Sequence, residues 1–499
     1  MAATTQYMLV LIVYFAAMLG LGLWFRRKQR DRTDYFLARG KLGAGAIGFS
    51  YSATQMSGSS YMGAVGTERL YGYNFSPAAV SSAAAPWFTY VLVGDRLRRV
   101  AGRIRCNTLI DVLQARYYGR APAVVATAIM LVAFAPLVAA QLKAAANAFE
   151  VMLGFPYLVA LGAFGLIVIV YTVTGGMHAV AWTDLIQGTI MIVGFAVLAP
   201  TAVGAAGGFA EMHRQYGELN PGSIRFVGTM PALWVVSSFL VWGFFQIGGA
   251  PAAVTRFLIP EDDRKLKLAM VYSIGFSSFI YVTGTLIAIA SGVLLPALER
   301  PDLALPTLVT ELMHPMLGGV IVAAVLGATM STIDSVLLMA GSLVVEHLWL
   351  PVRGRDIGEA EALRVARITT LVLGLVALIA AINPPAAIYW IVTMSFSLMA
   401  SAFTFPLLLG LWWRGATREG ALAGMIGGAA TAFLWYLASY LTHGTLEDFV
   451  AGLWPALLGP TVSLLLMVMV SRATAAPPVE VIALFFGDED SSDDRAGTG

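Results

Sequence analysis

Cysteine, histidine and charge are all scarce in this sequence. Its single cysteine, Cys106, excludes a framework of disulfide bonds within the chain. The five histidines are scattered without the spacing of metal ligands, which argues against a zinc site. Charged residues make up 12% of the 499 residues, and the net charge of +2 gives no indication of nucleic-acid binding.

Apolar sequence is what the chain has in abundance. The sequence is 58% hydrophobic with a mean hydropathy of +0.76, more apolar surface than a soluble chain of this length can bury. Apolar runs of about 20 residues are typical of helices that cross a lipid bilayer. We therefore predict an all-α integral membrane protein with 13 transmembrane helices, at 6–25, 43–66, 77–95, 121–152, 156–175, 185–206, 231–254, 268–297, 318–345, 367–383, 386–412, 420–441 and 449–471.

The charges of the connecting loops predict the orientation. On one side of the membrane the loops carry most of the lysine and arginine, whereas the other side has Arg69, Arg214, Arg225 and Arg300. By the positive-inside rule, the N-terminus is outside and the C-terminus cytoplasmic, in the plasma membrane. We expect one transmembrane domain over residues 1–472, followed at 473–499 by a disordered cytoplasmic tail rich in Pro, Asp and Gly.

Hydroxyl side chains are concentrated in the ninth predicted span. Ala328, Ser331, Thr332 and Ser335 recur at helical spacing and form one stripe. Oxygen ligands on one face of an apolar helix suit a small hard cation, and the neighbouring Asp334 is an ionisable group at membrane depth. The alternative is that the hydroxyls bond back to their own helix and Asp334 lies near a water-exposed end.

Two other predicted spans contain helix-breaking residues. The second places small and hydroxyl residues around Gly58, and the seventh contains Gly248, Gly249 and Pro251. Interrupted helices at corresponding positions, five helices apart, indicate the binding site of an inverted-repeat transporter. Main-chain N–H groups freed at these glycines would bind a carboxylate much as helix N-termini do. The alternative is that small residues merely allow close packing of helices.

Three motifs together carry a family resemblance. The segment Tyr171-Thr-Val-Thr-Gly-Gly-Met-His-Ala-Val-Ala-Trp-Thr-Asp-Leu-Ile-Gln187 resembles a signature of the sodium:solute symporter family, and Pro251-Ala-Ala-Val-Thr-Arg-Phe257 and Ala328–Ser335 are similar to the family at equivalent places. The resemblance implies a LeuT-type fold, with inverted 5+5 repeats at about 43–206 and 231–412, one extra helix before them and two after.

The same resemblance implies a function and a branch of the family. It implies a symporter, not an enzyme, that imports a small organic solute with Na+ by alternating access. The run from Ala53 to Gly63 most resembles the branch that transports pantothenate and monocarboxylates, so we expect a carboxylate as the solute. Gln55 stands where proline transporters carry an acidic residue. A proline, other amino-acid or sugar symporter of the same family is the alternative.

The resemblance also implies site residues. Sodium ligands fall on the carbonyls of Ala53, Met56 and Ala328 and on the hydroxyls of Ser331 and Thr332. A second cation site is expected at Asp184, Asp334 and Ser335, and solute contacts at Ser57, Ser59, Gln141, Trp242 and Gln246. Lys143 is either a counter-charge for a carboxylate or a snorkelling or paired structural lysine.

Two functions from other classes are the alternatives to a symporter: a membrane sensor, and a membrane-embedded enzyme or channel. A membrane sensor can use this fold as its input domain, but no output domain follows the predicted spans. A membrane-embedded enzyme or channel would need a nucleophile–base pair or a continuous polar pore lining, and neither is evident. The partners expected are therefore the solute and the lipid bilayer, and the sequence leaves the oligomeric state open.

Overall fold

The computed structural model describes residues 2–26, 43–104, 106, 108–174, 177–225, 232–258, 262–354 and 357–496. Within these ranges the side chains at 177–185 and 488–496, among a few others, are outside the description. The described residues form helices and irregular connections and contain no strand, so the prediction of an all-helical protein is confirmed.

The first half of the chain forms ten α-helices within the described residues. A π-helical turn at Ser59–Gly63 precedes α3, and another at Tyr90–Gly94 follows α4. The helices are Ala2–Arg26 (α1), Ala44–Gln55 (α2), Ala64–Tyr71 (α3), Ser76–Thr89 (α4), Asp95–Arg103 (α5), Leu109–Arg116 (α6), Arg120–Leu153 (α7), Tyr157–Thr174 (α8), Met177–Ala205 (α9) and Phe209–Leu219 (α10).

The second half follows the same pattern of long helices and one interrupted span. A π-helical turn at Leu240–Phe244 separates α11 from α12. The described helices are Ala232–Phe239 (α11), Gln246–Gly249 (α12), Pro251–Val254 (α13), Asp263–Leu294 (α14), Ala304–Leu312 (α15), Pro315–Leu343 (α16), Leu350–Arg353 (α17), Glu359–Ala380 (α18), Ile388–Trp412 (α19), Arg418–His443 (α20), Pro455–Ala473 (α21) and Val479–Ala496 (α22).

Local sequence explains where several of these helices begin and end. Thr417 precedes α20, and its hydroxyl accepts a hydrogen bond from the N–H of Gly420 at 3.1 Å, which caps the first turn. At the other end of a long helix, Gly154 terminates α7 with φ 68°, a conformation that favours glycine.

Eight helical segments of the described chain are long and apolar enough to cross a membrane. The buried fraction of each segment distinguishes helices in the centre of the protein from helices at its periphery. The most apolar windows of the segment Pro315–Arg353, which contains α16, and of α19 are each 83% buried, whereas those of α18 and α21 are 28% and 33% buried. Outward-facing apolar residues on α18 and α21 need a lipid environment because water would solvate them poorly. The interior is therefore built around α16 and α19, which lie next to both interrupted spans.

The C-terminal segment differs from the expectation of a disordered tail at 473–499. Residues 479–496 form α22, which buries Phe485 and Phe486. Both rings lie 5.8 Å from the guanidinium carbon of Arg116, and the Arg103 guanidinium donates to the carbonyl of Leu484 at 2.8 Å. The composition of the tail as a whole is polar, and this average conceals the apolar run Val481-Ile-Ala-Leu-Phe-Phe486, which has a surface to pack on.

Candidate functional site

The second predicted span is interrupted as its sequence indicated. The helix α2 ends at Gln55, Met56 has extended backbone with φ −92° and ψ 115°, and helical structure resumes at Ser59. The N–H groups of Ser59 and Ser60 donate to the side-chain and main-chain oxygens of Ser57, at 3.3 and 2.8 Å. In a continuous helix they would bond the carbonyls four residues earlier. The carbonyls of Gln55 and Met56 are therefore released from helical bonding, which is what a cation site needs.

A glutamine from another helix holds this break in place. Gln141 of α7 is fully buried, and its Oε1 accepts from the N–H of Gly58 at 2.9 Å while its Nε2 donates to Ser57 Oγ at 3.1 Å. A Cβ on Gly58 would lie 2.5 Å from Thr329 and 2.9 Å from Ala144, so only glycine fits between α7 and α16. Both the oxygen and the nitrogen of the Gln141 amide are thus hydrogen-bonded to the break, and the residue holds the break in position.

The hydroxyl stripe of α16 faces the same region, and its hydrogen bonds are internal to the helix. Ser331 Oγ and Thr332 Oγ1 both donate to the carbonyl of Ala328, at 3.2 and 3.0 Å. The back-bonded arrangement weighed from the sequence is therefore present. All five expected sodium ligands, including Ala53 and Met56, are at least 95% buried. The hydroxyl oxygens retain lone pairs, but the Ala328 carbonyl must lose these donors before it can bind a cation.

A cleft of about 420 Å³ joins the two interrupted spans to the hydroxyl stripe. Two residues of its wall have buried oxygens, Gln55 Oε1 and Ser335 Oγ, that find no hydrogen-bond partner among the described residues. Unpartnered buried polar atoms indicate a ligand or water site, because leaving them bare is costly. The lining comprises Thr54, Gln55, Ser57, Phe134, Leu137, Gly249, Ala250, Pro251, Ala252, Ala253, Thr332, Ser335, Val336, Phe396 and Met399.

Gln55 was not among the expected site residues. The signal that could have identified it was its place in the sequence, where proline transporters carry an acidic residue. The structure shows that the amide itself faces the cleft.

A second, smaller pocket of about 250 Å³ lies on the other side of the break. Two of the expected solute contacts, Ser59 and Trp242, line this pocket. The indole N–H of Trp242 donates to the hydroxyl of Tyr389 at 2.6 Å. Its lining is Ser59, Ser60, Ala64, Phe75, Ala78, Ser82, Trp242, Tyr281 and Tyr389. Tyr389 was missed because nothing in its local sequence distinguishes it from an interfacial aromatic residue.

The seventh predicted span is also interrupted, at Ala250, but its N–H groups are not free. Gly248 and Gly249 both donate to the carbonyl of Phe245, at 3.2 and 2.8 Å. The N–H of Gly58 is likewise engaged, by Gln141 as described above. The expectation that these glycines offer free N–H groups to a carboxylate is therefore wrong.

Gln246 occupies the turn before this interruption and is 1% exposed. Within the part of the chain that the structure describes, its Oε1 has no hydrogen-bond partner, and the residue lines neither of the two pockets. The neighbouring Gly248 explains the tight packing, because a Cβ there would lie 2.2 Å from the main-chain nitrogen of Thr404 in α19. Of the expected solute contacts, Ser57 thus lies at the cleft, Ser59 and Trp242 at the smaller pocket, and Gln141 and Gln246 at neither.

The residues expected at a second cation site face different neighbours. Ser335 lines the cleft, whereas the carboxylate of the buried Asp334 accepts a hydrogen bond from Thr172 of α8. Successive residues of a helix point about 100° apart, which accounts for the separation. The side chain of Asp184 lies outside the described residues. Thr172 is a neighbour that the sequence analysis did not identify, although it lies in the signature segment.

Lys143 is a paired structural lysine. Its ammonium group lies 2.7 Å from Asp302 Oδ2 and donates to the carbonyl of Ala386 at 2.8 Å. Both Asp302 oxygens also accept from the N–H of Ile388, so the pair fixes the first turn of α19. Of the two roles considered for Lys143, the structure supports the structural one.

Comparison with known proteins places this chain in a family. Residues 35–428 match the profile described as "Sodium:solute symporter family". The sodium/pantothenate symporter of Escherichia coli (strain K12) is 29% identical, over 96% of this chain and 99% of the relative. The sodium/proline symporter of Salmonella typhimurium is also 29% identical, over 91% of this chain and 92% of the relative.

Solved structures show the same fold. A Na+-coupled sialic acid symporter superposes with a TM-score of 0.78 at 20% identity, covering 94% of this chain and 98% of the other. A nucleobase-cation-symport-1 family transporter gives a TM-score of 0.57 at 12% identity, covering 91% and 99%. This is a LeuT-type arrangement of helices, and the resemblance seen in the motifs extends over nearly the whole chain. The chain belongs to the sodium:solute symporter family and is a multi-pass membrane protein that couples the transport of a small solute to sodium.

Proposed function

We propose that this symporter imports a small carboxylate, pantothenate-like or a monocarboxylate, across the plasma membrane together with sodium by alternating access. The observation that carries the proposal is the shared cleft. Ser57 from the interruption of the second span, Ala250 from that of the seventh and Thr332 of the hydroxyl stripe all line it, so a solute in the cleft would lie beside an ion held at Thr332.

Sodium in this site would be held by oxygen atoms alone. We assign it to the carbonyls of Ala53, Met56 and Ala328 and to the hydroxyls of Ser331 and Thr332. The released carbonyl of Met56 and the burial of all five residues support the assignment. Neutral oxygen ligands suit a monovalent cation, since Ca²⁺ generally requires carboxylates.

The charges around the cleft support a direct role for sodium in recognising the solute. Among the described residues, the lining of the cleft contains no lysine or arginine. Arg256 is not among the lining residues, and its guanidinium donates to Ser50 and Thr54 at 3.1 and 3.2 Å. Lys143 is paired with Asp302. A bound Na+ would therefore be the strongest positive charge available to a solute carboxylate. We place that carboxylate beside Ser57 and Thr332.

The topology belongs to the same proposal. We assign 13 membrane crossings, a transmembrane domain over 1–472 with inverted repeats at about 43–206 and 231–412, an external N-terminus and a cytoplasmic C-terminus. The distribution of loop lysine and arginine supports this orientation. On this assignment the cleft is on the cytoplasmic side of Ser57, and the smaller pocket with Trp242 is on the external side.

Uptake by proteoliposomes of the purified protein tests the solute class. We would compare pantothenate, lactate and proline with the corresponding amides, under an inward sodium gradient and under a potassium gradient of equal size. We expect sodium-dependent uptake of a carboxylate and loss of uptake for its amide. Equal uptake of acid and amide would refute carboxylate recognition, and uptake of proline alone would favour the amino-acid alternative.

A further inference from the structure

A buried carboxylate, Glu68, lies next to the smaller pocket and has no part in the sodium or solute sites. Ala64 of α3 and Tyr281 of α14 line that pocket on facing helices. Glu68 and Thr285 are each four residues further along the same two helices, and Thr285 Oγ1 donates to Glu68 Oε1 at 2.8 Å. The pair therefore forms the next layer outward from the pocket, where α3 packs against α14.

The surroundings of Glu68 leave its charge uncompensated. The residue is 3% exposed, and the described residues place no lysine, arginine or histidine within ion-pair distance of its carboxylate. Arg69, the adjacent cation, donates to the carbonyl of Leu295 and not to Glu68. Burying an ionised carboxylate without a cationic partner is costly, so a carboxyl group in this position binds a proton or a cation.

The other titratable groups near this layer are hydrogen-bonded, ion-paired, one turn away or exposed. Tyr281 of α14 is one turn away, and Tyr216 of α10 donates to the carbonyl of Arg69 at 2.8 Å. Tyr73, in the turn after α3, shares a 2.6 Å hydrogen bond with His213. In the connection before α15, Asp302 is paired with Lys143; the exposed Glu311 is at the far end of α15.

We propose that Glu68 is a proton-binding site whose protonated form holds α3 against α14, so that external pH controls access to the pocket lined by Ser59 and Trp242. This goes beyond sodium symport and does not depend on which solute is carried; it uses the external placement of α3 assigned above. With α3 packed against α14, the buried acid is neutral. Separation of the helices admits water, which stabilises the ionised form. The closed arrangement is therefore favoured as pH falls and the open one as pH rises.

Cysteine accessibility measures this opening without any solute. Because Cys106 is the single cysteine and is buried, a Cys106→Ser background makes an introduced thiol unique. Ala78 lines the pocket and is 2% exposed, so Ala78→Cys reports access. In intact cells, a membrane-impermeant thiosulfonate would be applied across about pH 5 to 9, with Glu68 or with Glu68→Gln in the same chain. We divide the labelling rate measured with Glu68 by the rate measured with Glu68→Gln. This ratio cancels the pH dependence that comes from ionisation of the introduced thiol.

We expect this ratio to rise with pH by up to about tenfold per unit below its midpoint, the limit for one linked proton. Glu68→Asp should keep a pH dependence, and Glu311→Gln, an exposed carboxylate, should leave the profile unchanged. A ratio that is constant over the whole range would overturn the proposal. A ratio that follows external sodium at fixed pH would also overturn it, since the site would then bind sodium.

A second variant covers the case in which Glu68→Gln does not reach the membrane. Thr285→Val keeps the carboxyl group but removes the hydroxyl that stabilises its ionised form. We expect the labelling rate of the Ala78→Cys reporter to have its midpoint at higher pH in this variant, and an unchanged midpoint would contradict the role of Glu68. Sodium dependence of labelling should survive in both variants, so that failure here is distinguishable from failure of the sodium assignment.

Discussion

The two hydrogen bonds that Gln141 makes to Ser57 and Gly58 offer the sharpest test of the site. The sequence predicts that Gln141 contacts the solute, whereas in the structure it holds the helix break, and the two roles predict different results. A solute ligand, once removed, weakens binding of the solute. A brace for the helix break, once removed, weakens the site for sodium even when no solute is present. Gln141→Ala distinguishes these outcomes.

The expected size of the effect follows from two contacts. Removing the amide leaves the buried N–H of Gly58 without its acceptor at 2.9 Å and Ser57 without its donor at 3.1 Å. A buried donor without a partner costs about 1–3 kcal/mol. If this cost falls on the arrangement that presents the Met56 carbonyl, sodium affinity should fall by roughly 5- to 150-fold.

Sodium titration of the purified protein in detergent measures this directly. Thermal unfolding would be followed at increasing sodium, with choline replacing sodium to hold the ionic strength. Gln246→Ala is the matched control, since Gln246 is equally buried beside the other interruption and lines neither pocket. We expect the sodium midpoint to rise in Gln141→Ala and to change little in Gln246→Ala. An unchanged sodium midpoint combined with weaker solute binding would refute the role of Gln141 in holding the helix break and would support its role as a solute ligand.

Two further predictions concern α16. Replacing Ser331 or Thr332 with alanine removes a neutral oxygen ligand, so we expect the apparent sodium affinity to fall at least about tenfold, or about 1.4 kcal/mol. Thr332→Ser should stay close to wild type in the same titration. Solute uptake with unchanged sodium dependence in both alanine variants would place the site elsewhere. If Asp334 with Thr172 holds a second cation, uptake of a monovalent anion moves one net charge, worth about 2.3 kcal/mol per 100 mV. We then expect inward current and a sodium Hill coefficient above one that drops toward one in Asp334→Asn, whereas electrically silent uptake with a coefficient of one in the wild type would rule it out.

Features encoded locally were predictable from the sequence. The interruption near Gly58 follows from a run of small and hydroxyl residues, and the one at Ala250 from two glycines and a proline within six residues. Both are effects of backbone propensity and need no knowledge of neighbours. The helical stripe on α16 was predictable for the same reason, since helix periodicity alone places Ala328, Ser331 and Thr332 together.

Features that depend on distant partners were not predictable. Gln141 meets Ser57 across 84 positions of sequence, and Lys143 meets a carbonyl 243 positions away. Nothing within α7 shows that one of these residues braces a helix break and the other fixes the start of α19. The free N–H groups expected at the glycines failed for the same reason. The freed donors exist, but a remote amide and a nearby carbonyl occupy them.

In the sodium site proposed above, these contacts distinguish a fixed half from an adjustable half. The fixed half would be the break in the second span, where Gln141 holds Ser57 and Gly58 and the Met56 carbonyl is released from helical bonding. The adjustable half is on α16, where Ala328 accepts from both Ser331 and Thr332. Each such hydrogen bond contributes about 0.5–1.5 kcal/mol net. Sodium must replace both with ion–oxygen contacts, and it can do so by rotating two hydroxyl groups without moving the backbone. In the proposed site, the α16 side would therefore adjust when sodium binds, while the braced side would hold the Met56 carbonyl and Ser57 in position.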